Sequence, residues 1–338
     1  MKQVFLAEPL TIKTVEIPFP TQQKGWVLAK TMLTGICGSD VKSYYGETIF
    51  GNKFPFHIGH EVCAIVTEVD SNNLRLRIGD AIVIDPIFSC GYCNSCFSNK
   101  NNNCEYGTTI GIRGFGGFSE YVYIPESSAF KINNNDLKKM VFAEPLSTVV
   151  YGYNKLKMNP TQKILIQGMG SIGLLFLNLA IYDKIAEIVV TDINNGKLRI
   201  ASELGAKNVL NPLNKTDKAK LDNKQFDIII DCTGSIDAIQ SSIEKVAFGG
   251  QILIFGISSA NQTILLSPFE LYKKDAAIFG SHKSTKQSFV QAISLLEQGV
   301  IDTKRITDSI KPLSELEQSI IDIHEGKSIG KIIIDVTK

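Results

Sequence analysis

The sequence predicts an α/β protein in which a β-rich first part precedes a doubly wound parallel sheet. Short extended segments separated by proline and glycine fill the first 85 residues without a long helix, which is typical of an antiparallel β-domain. Beyond about residue 155, continuous apolar strands alternate with helical stretches, as in a parallel sheet covered by helices on both faces. A chain of 338 residues has the length of about two domains.

Each predicted element depends on a local pattern. In the first part, alternating or apolar runs between turn residues predict strands at 4–6, 14–17, 26–30, 61–66 and 80–84. In the second part, a strand at 163–167 leads through a glycine-rich turn into a helix at 174–182, and further strands are predicted at 187–191, 226–231, 251–255 and 277–279. After about residue 285, amphipathic helices at 289–298 and 313–324 and a strand at 331–336 depart from the alternating pattern.

The composition indicates a small-molecule partner. Lys and Arg number 35 and Asp and Glu number 34, so the net charge of +1 argues against nucleic acid or an anionic membrane as a partner. The N-terminal residues lack the apolar core of a signal peptide, and the most apolar run, 172–181, is too short to span a bilayer. We therefore expect a cytoplasmic protein with reduced thiols.

Four cysteines in a short polar loop predict a structural zinc site. They follow the spacing C-x2-C-x2-C-x7-C, and four thiolates supply the closed tetrahedron that structural zinc prefers. The alternative, a pair of disulfides, needs an oxidising compartment and a wider framework of cysteine pairs. The zinc interpretation assigns the ligands Cys90, Cys93, Cys96 and Cys104.

The glycine-rich turn predicts a dinucleotide site. Gly168, Gly170 and Gly173 form G-x-G-x-x-G between a strand and a helix, with Ser171 and Ile172 between the last two glycines. Backbone N–H groups at a helix N-terminus hold phosphates. Asp192 ends the next strand, where a carboxylate accepts both ribose hydroxyls and repels a 2′-phosphate, which favours NAD over NADP. Lys197 lies near enough in sequence to cover the adenosine ribose and to weaken that exclusion slightly. The alternative is a doubly wound sheet whose turns contain glycine and which binds an unrelated ligand.

A second set of residues suits a catalytic zinc. Cys37, His60 and a carboxylate from Glu61 or Glu144 match a site with three protein ligands and one open position. Asp40 is a candidate acceptor for the second ring N–H of His60. Taken singly, each has an ordinary explanation: a buried thiol, a hydrogen-bonded histidine or a charge at a helix N-terminus.

Taken together and in this order, the motifs resemble the zinc-dependent medium-chain alcohol dehydrogenases, along essentially the whole chain. The segment 144–146, Glu-Pro-Leu, is similar to the polyol and sugar-acid branch of that family. The resemblance implies a GroES-like catalytic domain at 1–155 with the zinc lobe at 88–106, a Rossmann domain at 156–285, and a return to the catalytic domain at 286–338. The matching segments are 35–40, 59–61, 79–80, the four-cysteine lobe, 116–122, 144–146 and 168–173.

The resemblance also implies roles for single residues. Cys37 and His60 hold the catalytic zinc with either Glu61 or Glu144, and the Ser39 hydroxyl takes the proton of the alcohol. Nicotinamide contacts come from three segments: Thr233–Gly234, Phe255–Gly256–Ile257 and Gly280–Ser281. Lys42 stands where many relatives carry an outer proton-relay histidine, which leaves the route of the proton open.

The substrate is the least determined feature. The candidate substrate contacts are Ser39, Glu144, Arg113 and Lys283. The two cations would suit an anionic polyol such as a sugar acid or a polyol phosphate, although both also fit solvated loops. The competing hypotheses are an amino-alcohol oxidiser similar to threonine dehydrogenase, a general alcohol dehydrogenase, and a nucleotide-binding protein without catalytic metal. The resemblance implies a dimer or tetramer, and we expect the strand at 251–255 to pair across subunits.

Overall fold

The computed structural model describes residues 1–47, 53–70, 75–111, 115–133 and 136–338. The chain divides into two compact units. The first contains Met1–Ser147, Ser284–Gln298 and Thr307–Lys338, and the second contains Thr148–Lys283 and Gly299–Ile306. The second unit therefore includes 148–155 and 299–306, which the sequence analysis placed outside the parallel-sheet domain.

The described elements alternate as the sequence pattern predicts, with several additional short ones. The strands are β1 (Lys2–Glu8), β2 (Thr11–Glu16), β3 (Trp26–Gly35), β4 (Glu61–Val69), β5 (Ala81–Ile84), β6 (Ile87–Phe88), β7 (Thr108–Thr109), β8 (Tyr121–Pro125), β9 (Ala129–Lys131), β10 (Lys163–Gln167), β11 (Glu187–Thr191), β12 (Asn208–Leu210), β13 (Phe226–Asp231), β14 (Val246–Ile254), β15 (Ala277–Gly280), β16 (Thr307–Pro312) and β17 (Lys331–Asp335). The α-helices are α1 (Gly38–Tyr44), α2 (Asn94–Phe97), α3 (Leu137–Met140), α4 (Ala143–Tyr153), α5 (Ser171–Tyr182), α6 (Asn195–Glu203), α7 (Lys215–Asp222), α8 (Ile236–Lys245), α9 (Pro268–Lys274), α10 (Lys286–Glu297), α11 (Thr303–Ile306) and α12 (Leu316–His324).

In the first unit, a mainly antiparallel sheet follows the order β16-β17-β3-β4-β5-β9, and β8 also pairs with β3. The pairing of β16 with β17 is parallel. Gly35 at the end of β3 lies opposite Glu61 of β4 on one side and Ile333 of β17 on the other. This register brings the ends of three strands together where the candidate metal ligands begin. The apolar residues beneath include Val27, Val62, Ala64, Val66, Ile82, Ile84 and Val122.

In the second unit, parallel strands follow the order β12-β11-β10-β13-β14-β15. The strands β10 and β13 read Lys-Ile-Leu-Ile-Gln and Phe-Asp-Ile-Ile-Ile-Asp, apolar runs that suit a sheet buried on both faces. The chain winds outward from β10 in one direction and from β13 in the other, so the order reverses between these two strands, which is where open α/β sheets bind ligands.

The prediction that the strand at 251–255 pairs across subunits is wrong. These residues belong mostly to β14, which is hydrogen-bonded to β13 on one side and β15 on the other, so it offers no free edge. The edge strands of this sheet are β12 and β15. Sequence alone did not show this because both strands read as short apolar runs. None of the described helices combines the length and the apolar character that crossing a bilayer requires.

Candidate active site

The turn from β3 into α1 presents Cys37. The residue is the N-cap of α1, and its backbone N–H donates to Asp40 Oδ2 at 2.9 Å. Asp40 Oδ1 accepts from the backbone N–H of Gly59 at 3.0 Å. The buried Asp40 carboxylate therefore ties the loop carrying Cys37 to the loop carrying His60.

Three potential ligands meet beside this carboxylate. Ligand atoms of Cys37, His60 and Glu61 lie within 4.8 Å of one another. Asp40 Oδ1 is 3.6 Å from Nδ1 of His60, in the position proposed from sequence for an outer acceptor. Burial lowers the pKa of His60, but the charges of Asp40 and Cys37 outweigh it and raise that pKa well above its usual value. The same negative charges would stabilise a metal cation.

Glu61 carries the clearest sign of a missing partner. Its side chain is only 1% exposed, and Oε1 accepts from Lys331 Nζ at 2.6 Å. The other carboxylate oxygen, Oε2, is buried without a hydrogen-bond partner. A Cβ at Gly35 would clash with this oxygen, so glycine is needed there for the carboxylate to sit in its place. A buried carboxylate oxygen left unpaired is unfavourable unless a cation binds it. One thiolate, one imidazole and one carboxylate therefore fit a catalytic zinc.

Lys331 is a residue of this candidate site that the sequence analysis missed. Its side chain is 3% exposed, and its ammonium group also donates to the carbonyl oxygen of Ile36 at 3.1 Å. A lysine at the start of the apolar strand Lys-Ile-Ile-Ile-Asp is an unusual residue for a buried strand, and that was the available signal. Its contact with Glu61 spans 270 positions in the chain, so spacing could not have identified the partner.

The remaining candidates of this site lie nearby. Glu144 is in the first turn of α4 and is buried, but it is not one of the three residues whose ligand atoms group together. Burial, with the neighbouring Glu61 and Asp85 charges, raises the pKa of Glu144 to about 7, against the opposing effect of His60 and Lys331. Ser39 is half-buried in the first turn of α1. Lys42 in the last turn of α1 forms an ion pair with Glu47 at 3.2 Å.

The four-cysteine lobe has the dimensions of a zinc site. Its sulfur atoms lie 3.6 Å (Cys93–Cys96), 3.8 Å (Cys93–Cys104) and 3.9 Å (Cys90–Cys96) apart. Tetrahedral ligands at a Zn–S distance of about 2.3 Å are separated by about 3.8 Å. All four are free thiols, and backbone N–H groups of Cys96 and Glu105 lower the pKa of Cys93, which favours the thiolate that zinc binds. The antiparallel pair of β6 and β7 joins the two ends of the lobe.

The glycine-rich turn has the geometry predicted for a phosphate-binding loop. Gly168 adopts a φ of +89°, and its N–H donates to Thr191 O at 2.7 Å. A Cβ at Gly173 would clash with the Gly168 carbonyl, so glycine permits the close packing of α5 on β10. At Gly170, the N-cap of α5, no atom lies within 4 Å of an added Cβ. That open space beside a helix N-terminus suits a pyrophosphate.

Asp192 follows β11 and already organises the turn. Its Oδ2 accepts from the backbone N–H of Met169 at 2.7 Å, and its Oδ1 accepts from Asn194 N–H at 2.8 Å. Each carboxylate oxygen retains a lone pair for a ribose hydroxyl. Lys197 lies half-buried in the first turn of α6.

The three segments expected to contact nicotinamide follow β13, β14 and β15. The fully buried carboxylate of Asp231 accepts from the backbone N–H groups of Thr233 and Gly234, both at 3.1 Å. Its carbonyl accepts from Phe255 and Gly256 at 3.0 and 2.9 Å. Asp231, which the sequence analysis did not single out, therefore fixes the loops carrying Thr233, Gly256 and Ile257. Its position at the carboxyl end of a parallel strand was the available signal.

Of the two cations proposed for substrate binding, the structure describes Lys283 alone. Arg113 lies outside the described residues. Lys283 follows β15 and adopts a left-handed φ of +59°, which is uncommon for a residue with a side chain.

Comparison with known proteins agrees with this geometry. Residues 23–134 match the alcohol dehydrogenase GroES-like domain, and residues 171–298 match the zinc-binding dehydrogenase domain, so the two matches span more than half of the chain. The chain belongs to the zinc-dependent medium-chain dehydrogenase family. This confirms the predicted fold class and makes the protein an oxidoreductase of the alcohol dehydrogenase type.

Similar members of this dehydrogenase family act on polyols. The chain is 29% identical to D-altritol 5-dehydrogenase of Agrobacterium fabrum, over 89% of each chain. It is 27% identical to sorbitol dehydrogenase of Bacillus subtilis, over 95% of this chain and 92% of that one. Among solved structures, a protein described as a zinc-binding dehydrogenase from Sinorhizobium meliloti bound to NADP superposes with a TM-score of 0.91 at 27% identity, covering 99% of this chain and 98% of that one.

Proposed function

We propose that this dehydrogenase transfers a hydride between a secondary alcohol of a polyol, sugar acid or polyol phosphate and NAD. The observation that carries the proposal is the group of Cys37, His60 and Glu61, with a buried carboxylate oxygen that has no partner. The altritol and sorbitol dehydrogenases among its relatives support the substrate class.

In this proposal the chain holds about two zinc ions, one structural and one catalytic. Cys90, Cys93, Cys96 and Cys104 hold the structural ion. Cys37, His60 and Glu61 hold the other, and Glu144 is the alternative carboxylate. Zinc in such a site acts as a Lewis acid that polarises a substrate hydroxyl and favours the loss of its proton.

The chain's own groups position the substrate and move its proton. Ser39 lies two residues after Cys37. We therefore propose that the Ser39 hydroxyl accepts the proton of the alcohol and passes it on. Lys42, the candidate outer relay group, is paired with Glu47, so we expect the proton to leave through the ribose and water. Thr233, Gly256 and Ile257, fixed through Asp231, orient the nicotinamide ring.

Asp192 underlies the preference for NAD. We expect Asp192→Asn to raise kcat/KM with NADP relative to NAD by about tenfold, because the substitution removes the charge that repels a 2′-phosphate. Steady-state kinetics with both cofactors at a fixed alcohol concentration measure the ratio. Asp227→Asn, at the opposite end of the sheet beside the Lys163 N–H, serves as the charge-matched control. An unchanged cofactor ratio in Asp192→Asn would refute this role.

A substrate panel tests the proposed function. Zinc-loaded protein is assayed by NAD reduction with sorbitol, D-gluconate, sorbitol 6-phosphate and L-threonine. We expect turnover with at least one of the first three compounds and little with threonine. Turnover of threonine alone would favour the amino-alcohol alternative, and absence of turnover with every alcohol would refute the proposal.

We also propose a cytoplasmic homodimer or homotetramer. Within the described chain, β15 pairs only with β14, so its outer edge offers unpaired backbone groups to a second copy. The helix leading into it, α9, exposes Phe269 (65%) and Tyr272 (82%). The reduced thiols of the lobe favour the cytoplasm.

A further inference from the structure

Three polar residues lie side by side across the sheet of the first unit. Strands β4 and β5 are antiparallel, and their register, continued by two residues, places Asp85 opposite Glu61. On the other side of Asp85, its backbone N–H donates to the Ser128 carbonyl at 2.9 Å, just before β9 begins. Glu61, Asp85 and Ser128 therefore form a row, the polar row, that starts at a candidate metal ligand.

The polar row lies on the face of the sheet that points away from the apolar core. Successive side chains of a strand point to opposite faces. Val62 of β4 and Ile84 of β5 belong to the apolar cluster beneath the sheet. The residues next to them in sequence, Glu61 and Asp85, therefore share the other face, which is the face that carries the candidate metal site.

Each position of the polar row buries an oxygen atom that has no hydrogen-bond partner among the described residues. These atoms are Glu61 Oε2, Asp85 Oδ2 and Ser128 Oγ, and none of the three residues is more than 1% exposed. The second oxygen of Asp85, Oδ1, accepts from the Ile87 N–H at 3.0 Å. A metal bound by Glu61 would account for the first of the three atoms but not for the other two.

Water is the partner that suits these atoms. A buried polar atom without a hydrogen bond is unfavourable, and buried waters commonly satisfy such atoms. Residues opposite each other on antiparallel strands have Cβ atoms about 5 Å apart, so one water can bridge the polar atoms of two neighbouring side chains. A water donates as well as accepts, so it can bond to a carboxylate oxygen and to a hydroxyl at once.

The far end of the polar row approaches the surface at Lys286. The ammonium group of this half-buried lysine donates to the carbonyl of Ser127, the residue before Ser128, at 3.1 Å. Lys286 also lines a cavity of about 150 Å³, together with Asn101 and the exposed Gln287. Asn101 is 7% exposed, and its Nδ2 has no hydrogen-bond partner in the described part of the chain. This polar cavity has room for several waters and extends the row to the solvent.

We propose, building on the proposed function, that Asp85 and Ser128 bind a row of waters along which the proton of the alcohol leaves the site at Glu61. Oxidation breaks the C–H and O–H bonds of the alcohol: the hydride reduces NAD, and one proton must reach the solvent. Each water in the row accepts a proton from one neighbour and releases another to the next, and the last proton leaves beside Lys286. This route does not use Lys42, and it adds to the one through the cofactor ribose.

A pair of variants at Ser128 tests the route. Valine and threonine have nearly the same shape, so the strain of the added atoms is common to both, but only threonine keeps the hydroxyl. With the compound of the substrate panel that is turned over fastest, we expect Ser128→Val to lower kcat by about tenfold or more, because the row is interrupted. The same variant should show a larger loss of kcat on transfer from H2O to D2O than the unaltered enzyme. Ser128→Thr should keep kcat within about twofold of the unaltered value, with an unchanged solvent isotope effect.

Two further measurements keep the test decisive. Ser127→Val adds the same atoms at the exposed neighbouring position and should leave kcat unchanged. A crystal structure of the unaltered protein without zinc or substrate should show ordered waters within about 3.2 Å of Asp85 Oδ2 and Ser128 Oγ. A row without ordered water, or the same kcat and isotope effect in Ser128→Val and Ser128→Thr, would overturn the proton route while leaving the proposed function standing. Absence of turnover with any alcohol would refute the proposed function instead.

Discussion

Cys37→Ala is expected to lower kcat by about a thousandfold or more and to reduce the zinc content from about two ions to about one ion per chain. Cys37 is the N-cap residue of α1, and without its thiol the group that it forms with His60 and Glu61 loses its thiolate. The two remaining protein ligands would hold zinc weakly. Without zinc as a Lewis acid, the alcohol would release its proton far less readily. Metal analysis and steady-state kinetics on the same preparation measure both effects.

Two cysteine variants separate this effect from a general loss of thiols. Cys63→Ala removes a buried thiol of β4 outside both groups, so both zinc ions and most of the activity should remain. Cys104→Ser should also lose one ion, but from the lobe, and it should lower thermal stability more than the kcat of the folded fraction. A Cys37→Ala enzyme with nearly full kcat and both ions would end the proposal of a catalytic metal at this position.

Local motifs were predictable from the sequence because their geometry is set by neighbouring residues. The turn at Gly168–Gly173 needs a positive φ and a close approach of helix to strand. Glycine meets both requirements, so the spacing of the glycines predicts the turn. The same holds for the lobe, since four cysteines within 15 positions can reach one ion whatever the rest of the fold does. The strands of the parallel sheet followed from uninterrupted apolar runs.

Contacts between distant strands were not predictable. The choice between Glu61 and Glu144 depends on the register of β3 against β4, which places Glu61 opposite Gly35. The partner of Glu61 comes from β17, and the partner of Gly280 comes from Lys155, beyond the end of α4. Such pairs arise from tertiary topology, and a single sequence carries no signal of their spacing. The expectation for the strand at 251–255 failed for the same reason.

Lys331→Met is expected to destabilise the protein by about 3–5 kcal/mol, because it leaves the Glu61 carboxylate buried without its counter-ion. Burial alone would lower the pKa of Lys331, but Glu61, Cys37 and Glu144 raise it, so the ammonium remains charged in the folded state. The substitution also removes the donor to the Ile36 carbonyl, in the segment leading to Cys37. Urea unfolding of protein that lacks the catalytic zinc measures the change in the free energy of unfolding, because a cation bound at Glu61 would replace the lost counter-ion. Lys327→Met, which removes an exposed side chain paired with the exposed Glu325, should change that free energy by less than about 1 kcal/mol.

A double-mutant cycle separates the ion pair from the packing of the two side chains. Glu61→Gln alone leaves a buried ammonium, whereas the double variant Glu61→Gln with Lys331→Met buries no charge at this pair. We therefore expect the double variant to be more stable than Lys331→Met alone, with a coupling energy of about 1–3 kcal/mol. Additive effects would mean that Lys331 stabilises the fold only through its backbone contact at Ile36. Because Oε1 of Glu61 is held by the lysine, loss of the lysine should also free the carboxylate to reorient. Weaker zinc retention by Lys331→Met in a chelator titration, with the lobe zinc unaffected, is the expected signature of that coupling.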